Sequence, residues 1–201
     1  MLIIGLCGSS GSGKGYVCRA FAAHGVAYID TDLVYRERVL SSSGCVGELT
    51  KEFGNEILEN GAVSKPRLAK IVFEGEGASA RLGRLNEITH KYIRIETDAL
   101  VSKYKEEGYS AVLIDAPVLF ESGFDKMCHV TVCVTATLEE KLARILERDG
   151  IDRQSAMARL ATQLSEDELR ARCTYEIHNS VDSDVDGQIL EILKDLGVEK
   201  K

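Results

Sequence analysis

Basic charge is in short supply: 25 Lys and Arg stand against 32 Asp and Glu, for a net charge of -7. A nucleic-acid partner is therefore not expected, because affinity for a phosphate backbone needs a basic surface. Long apolar runs are missing too. The opening "MLIIGLCG" is too short to cross a bilayer and has no basic segment ahead of it, so neither a membrane span nor a signal peptide is expected, and the expected location is the cytoplasm. The six cysteines, Cys7, Cys18, Cys45, Cys128, Cys133 and Cys173, have no C-x-x-C spacing and no paired histidines. That pattern indicates neither a zinc site nor a disulfide framework, and buried free thiols are the expectation. There are only two prolines, and no internal repeat, low-complexity tract or linker-like segment. What remains, 201 residues at 44% hydrophobic and 28% charged, suits one soluble domain over 1–201 with a substantial core.

Apolar runs alternate with helical stripes along the chain, the pattern of an α/β fold with a parallel sheet and crossover helices. "MLIIGLC", "VAYID" (26–30), "AVLID" (111–115), "HVTVCV" (129–134) and a short run in "YEIHNS" read as five strands. Residues 14–24 read as a helix with Val17 and Phe21 inward and Gly25 as its stop. Ser165-x-x-Glu168 is a capping-box start, and Val185, Ile189, Ile192, Leu193 and Leu196 form the stripe of a last helix. About eighty residues separate the second and third strands, more than one crossover needs. A helical insertion at about 36–108 is expected there, placed to cover a ligand at the carboxyl end of the sheet. It should hold a helix starting near Ser64 with Pro66 in its first turn, and a longer one with Leu85, Ile88, Tyr92, Ile95 and Ala99 on one stripe.

Between the first strand and first helix lies "GLCGSSGSGKGY", which fits G-x-x-x-x-G-K-[ST] except that Gly15 stands where Ser or Thr is usual. A loop in that context turns backbone N–H groups around a phosphate at the positive end of a helix. Gly8, Gly11 and Gly13 allow close approach, and Lys14 can reach the β and γ phosphates. Gly15 removes the hydroxyl that usually ligates Mg²⁺, an ion that can replace one protein oxygen by water.

Asp30 and Asp32 close the second strand and Asp115 closes the third, where side chains converge on the phosphate crevice. One carboxylate could accept the proton of a hydroxyl while another holds Mg²⁺ through water, Asp115 and Asp30 being the metal candidates. In "LEEKLARILERD", Leu138, Leu142, Ile145 and Leu146 make an apolar face, and Lys141, Arg144 and Arg148 a basic stripe. Such a stripe suits a small helical lid, at about 138–166, that neutralises transition-state charge; an exposed face with a Glu140–Arg144 pair is the plainer alternative.

These blocks together resemble the dephospho-CoA kinase family. "IGLCGSSGSGKG" is similar to its first strand and loop, "YIDTD" to its I-D-x-D, and "FGNEILENGAVSKPRLAKIVF" to its insertion block; "ITH", "APVLFESG", "LARILERD" and "HNS" match later blocks. The resemblance implies a P-loop NTPase three-layer sandwich and ATP-dependent phosphorylation of the ribose 3′-hydroxyl of dephospho-CoA by direct in-line transfer with Mg²⁺. Residue by residue, it implies Asp32 as catalytic base and Arg144 as the lid arginine. Lys14 with Gly8, Gly11, Ser12, Gly13, Gly15 and Tyr16 would hold ATP, helped by Arg148 and by Asn179 near the adenine. His90, Pro117, Leu119, Phe120 and Glu121 would form the acceptor side. The chain departs from the family at Gly15, Tyr16, Lys91 and Lys141, which leave Lys14, Asp32 and Arg144 in place. The expected partner is the small-molecule acceptor alone, with the protein a monomer or weak homo-oligomer. A kinase of another nucleoside-like acceptor, or a nucleotide-binding module impaired by Gly15, are the alternatives.

Overall fold

The computed structural model describes residues 1–198; the last three residues of the expected 1–201 domain lie outside it. The run expected as a first strand forms β1 (Leu2–Cys7), buried from Ile4 onward, as an interior strand of a parallel sheet must be. In chain order follow α1 (Lys14–Ala23), β2 (Ala27–Asp30), α2 (Thr31–Glu37), α3 (Ser43–Phe53), β3 (Leu58–Glu59), β4 (Ala62–Val63), α4 (Lys65–Phe73), α5 (Ala78–Glu106) and β5 (Ala111–Asp115). The chain continues with β6 (Val130–Thr135), α6 (Leu138–Asp149), α7 (Arg153–Ala161), α8 (Glu166–Arg172), β7 (Tyr175–His178) and α9 (Val185–Asp195). The chain divides into two compact units, one of Met1–Ile29 with the chain from Lys103 onward, the other of Asp30–Ser102.

The first unit is built on the expected five-stranded sheet, ordered β2-β5-β1-β6-β7. β1 runs parallel to β5, with Leu2 opposite Ala111 and Leu6 opposite Asp115, and parallel to β6, with Cys7 opposite Cys133. β6 is parallel to β7. Parallel strands put the phosphate loop after β1, Asp115 at the end of β5 and Asn179 after β7 at the carboxyl ends of the strands. Val17 and Phe21 of α1 and Ile189 and Leu193 of α9 join Ile4, Leu6, Leu113, Val132 and Ile177 in the core. Burying that apolar surface is the main stabilising force in the unit. α6 and α7 close a smaller apolar cluster of Leu142, Ile145 and Ala156, with Leu146, Ile151 and Leu160 around it. Two capping boxes set helix starts here: Thr137 with Glu140 opens α6, and Ser165 with Glu168 opens α8 as the sequence indicates.

The second unit holds α2 to α4, the β3–β4 pair and most of α5. It is not wholly helical, contrary to expectation. β3 and β4 pair antiparallel across Asn60-Gly61, where both residues have positive φ, 51° and 80°. A two-residue turn with that geometry matches the twist of a hairpin, and Asn-Gly supplies it at little strain. Ser64 precedes α4, with Pro66 in its first turn, as expected. On α5 the buried line differs from the expected stripe: Ile88, Thr89, Ile93 and Thr97 are buried, while Ile95 is 51% exposed. Threonine escapes an apolar count, yet Thr89 donates its hydroxyl to the Leu85 carbonyl at 2.8 Å and so enters the interior satisfied. Among the described residues no helix is long and apolar enough to cross a membrane.

Candidate active site

The loop after β1 turns sharply enough for the Ser12 N–H to donate to the Ser9 carbonyl at 3.1 Å. Gly11 and Gly13 sit at φ 78° and 88°, in the region that disfavours side chains. Space is denied there as well. A Cβ on Gly11 would lie 2.5 Å from the Lys141 carbonyl oxygen, and one on Gly13 would collide with Asn179 Nδ2. The backbone of α6 and the side chain after β7 are thus seated directly against the loop. Gly15, by contrast, would place a Cβ with nothing nearer than Arg19 Nη1 at 3.7 Å.

Lys14 opens α1 and lays its ammonium across the loop, Nζ donating to the Gly8 carbonyl at 3.1 Å. Ser9 and Ser12 are buried, with hydroxyls that have no protein partner. Buried hydroxyls are rarely left orphaned, and a bound anion at a helix N-terminus would satisfy groups of this kind. Tyr16 is 48% exposed on the first turn of α1.

The basic residues of α6 have three different fates. Arg144 donates from Nη1 to the carbonyls of Gly11 and Ser12 at 3.1 and 3.2 Å, and from Nη2 to that of Asn179 at 2.9 Å. Arg148 reaches Ser10 Oγ at 3.3 Å and is held by Asp149, which lies below the usual carboxylate range, at about 2, chiefly through that arginine. Lys141 does not join them: it is buried and donates to Glu166 Oε1 at 2.8 Å. The Glu140–Arg144 pair does not form either. Glu140 accepts from the hydroxyls of Ser180 and Thr137 and from the Val181 N–H, which pull its pKa down to about 2. Asn179, 8% exposed, donates Nδ2 to the Ser12 carbonyl at 2.8 Å.

At the end of β5, Asp115 accepts from Tyr28 Oη at 3.4 Å and Cys18 Sγ at 3.6 Å. Burial first, and then this carboxylate, push the Cys18 thiol far up, so it stays protonated. In the following loop Pro117 and Glu121 are exposed. The Phe120 ring lies 5.6 Å from the Arg172 guanidinium. Leu119 is 0% exposed and its methyl carbons stand against Gly5, so it anchors the loop.

In the second unit Asp30 caps α2, accepting from the Leu33 N–H at 2.9 Å, and Asp32 is exposed in the first turn of that helix. His90 is half-buried on α5, and burial, aided by Arg94, pushes its pKa down so that the neutral imidazole is favoured. Among the described residues no group of three or more His, Cys, Asp or Glu is placed to hold a metal. Two residues at the loop were not signalled by the sequence. Gln163, in the turn between α7 and α8, accepts the Ser10 N–H on Oε1 at 2.8 Å, and Glu166 is the partner of Lys141. The capping box located the start of α8 without indicating that Glu166 turns inward.

A family model described as dephospho-CoA kinase matches residues 2–184. The dephospho-CoA kinase of Dehalococcoides mccartyi is 35% identical over 181 residues, 90% of this chain and 89% of the relative. That of Thermobifida fusca is 32% identical over 198 residues, 98% of this chain and 96% of the relative. A Thermus thermophilus protein of known crystal structure superposes with a TM-score of 0.78 at 28% identity, over 97% of both chains.

Proposed function

The chain belongs to the dephospho-CoA kinase family, and we propose that it transfers the γ-phosphoryl group of ATP to the ribose 3′-hydroxyl of dephospho-CoA, giving coenzyme A and ADP. The observation that carries this reading is the seating of Arg144 on the carbonyls of Gly11, Ser12 and Asn179. An arginine fixed at a phosphate loop is what a phosphotransferase needs to neutralise charge spread over the transferring group.

In this reading Gly8, Gly11, Ser12, Gly13 and Lys14 hold the β and γ phosphates, with Gly15 and Tyr16 on the next turn of α1. The orphaned hydroxyls of Ser9 and Ser12 support an anion here. Arg144 is the catalytic arginine. Arg148 supports it from Ser10, and Asn179 lies beside the nucleotide. Asp32 takes the proton of the 3′-hydroxyl; a carboxylate that begins a helix is exposed enough to meet an acceptor. Transfer is in line, with the hydroxyl oxygen bonding to the γ-phosphorus as the bond to the β-γ bridging oxygen breaks. No covalent enzyme intermediate is needed.

The chemistry of the kinase suits a largely hydrated Mg²⁺. Asp115, at the end of β5, would hold it through water; Asp30, the other candidate, already accepts the Leu33 N–H on Oδ1, and Gly15 offers no hydroxyl. When bound, the ion supplies charge neutralisation across the phosphates. The segment at about 36–108 serves as the acceptor-binding insertion and contributes His90; Pro117, Leu119, Phe120 and Glu121 of the loop after β5 are the other acceptor-binding candidates, and the segment at about 138–166 acts as the lid. The protein works as a monomer or weak homo-oligomer on a small-molecule acceptor.

A panel of acceptors tests the assignment. ADP release from Mg-ATP should rise strongly with dephospho-CoA and little with adenosine, AMP or shikimate. A preference for any of the last three would replace the acceptor.

A further inference from the structure

We infer that the pair of buried Lys141 and half-buried Glu166 is a positioning device for Arg144, setting the lid helix against the phosphate loop; this rests on the proposed phosphotransfer. Four observations in the first unit carry it. Lys141 Nζ donates to Glu166 Oε1 at 2.8 Å, with side-chain exposures of only 10% and 21%. The same Glu166 oxygen accepts the Ala136 N–H at 3.3 Å, so one carboxylate grips both the exit from β6 and the first turn of α6. The Lys141 backbone is the surface that the loop touches, with its carbonyl oxygen and Cα within 2.5 and 2.8 Å of where a Gly11 Cβ would stand. Arg144, three residues along α6, binds the Gly11 and Ser12 carbonyls.

A charge this buried is seldom retained without a role, since desolvation offsets much of the attraction and an apolar pair of similar volume often serves stability as well. What the pair adds is direction. Glu166 also faces Arg170 at 3.6 Å, and Arg170 is held in turn by Glu176 on β7 at 2.9 Å, so the grip on α6 is braced from α8 and the sheet. Loss of the carboxylate charge lets α6 shift on the loop, and displacements near 1 Å at a reacting group change rates by about a hundredfold.

The test is a cycle of Glu166→Gln and Arg144→Ala, separately and together, assayed for kcat, ATP affinity and thermal stability. Glu166→Gln alone should lower kcat about 10- to 100-fold while leaving the Kd for ATP within about threefold. In the Arg144→Ala background the same change should alter kcat less than about threefold, because the residue it positions is gone. Losses that multiply, or no loss in the single variant, would overturn the inference; a general weakening of the fold would multiply. Should Glu166→Gln not fold, Lys141→Met combined with Glu166→Gln removes the uncompensated buried charge and enters the same cycle. If the wild-type protein does not act on dephospho-CoA, the proposed reaction fails, and the cycle read on acceptor-independent ATP hydrolysis still decides the positioning.

Discussion

Arg144 and Asn179 are tied together across 35 residues of chain: the arginine Nη2 donates to the asparagine carbonyl at 2.9 Å, and both side chains end on the Ser12 carbonyl. Helix α6, the phosphate loop and the segment after β7 thereby meet at one peptide group.

Removing the arginine should damage the chemistry far more than the binding. Arginines that act on a transferring phosphoryl group are worth about 10³ to 10⁵ in rate. Arg144→Ala is expected to lose at least about a thousandfold in kcat, with ATP affinity changed less than about tenfold. Steady-state kinetics beside a nucleotide titration separate the two, and equally small effects on both would remove Arg144 from the reaction.

Two glycines on either side of Lys14, one in the loop and one in α1, should respond oppositely to a side chain. Gly13 has positive φ and meets Asn179, so Gly13→Ala is expected to destabilise by more than about 1 kcal/mol and to weaken ATP binding. Gly15 is helical with open space, so Gly15→Ser should fold and gain about 0.5 kcal/mol from helix propensity, a Tm rise of about 1–2 °C. Thermal melts of both variants check this; equal losses would mean that the space at position 15 is not free.

The loop was legible because its chemistry is local: glycines, lysine, the preceding strand and the following helix are neighbours in sequence. The strands read well for a related reason, since β1, β5 and β6 are buried on both faces and show as apolar runs. Contacts between distant segments did not read. Nothing at Gln163 indicates a bond to Ser10, 153 residues away, and Lys141 looks like a member of an exposed stripe until Glu166 is packed on it. In the second unit Asn60-Gly61 sits between segments with helical periodicity, although that dipeptide is a strong hairpin signal by itself. On α5, buried threonines displaced an apolar stripe that periodicity alone had drawn.

Acid should loosen the start of α6 through Glu140. Its pKa falls from 4.5 to about 2 in the fold, led by the Ser180 hydroxyl, so the unfolded chain takes up its proton first as pH drops. A depressed carboxylate contributes stability that is fully present above its unfolded pKa and is lost as pH falls toward about 2. The Tm difference between wild type and Glu140→Gln should therefore be largest near neutral pH and shrink below about pH 4.5. A difference that stays constant down to pH 3 would exclude this contribution.

Asp32 carries the proton transfer in the proposed reaction. General bases contribute about 10² to 10⁴ in rate, so Asp32→Asn should lose transfer to that extent and still bind ATP. Isothermal titration beside the turnover assay checks both halves, and near-normal turnover would pass the role to another residue.

The most direct measurement is product identity: wild-type protein incubated with Mg-ATP and dephospho-CoA, the products resolved by mass and by phosphorus NMR. The account predicts one ADP for each coenzyme A, with the new phosphate on the ribose 3′-oxygen. ADP formed without that phosphomonoester, or no ADP above the acceptor-free background despite bound ATP, would contradict it.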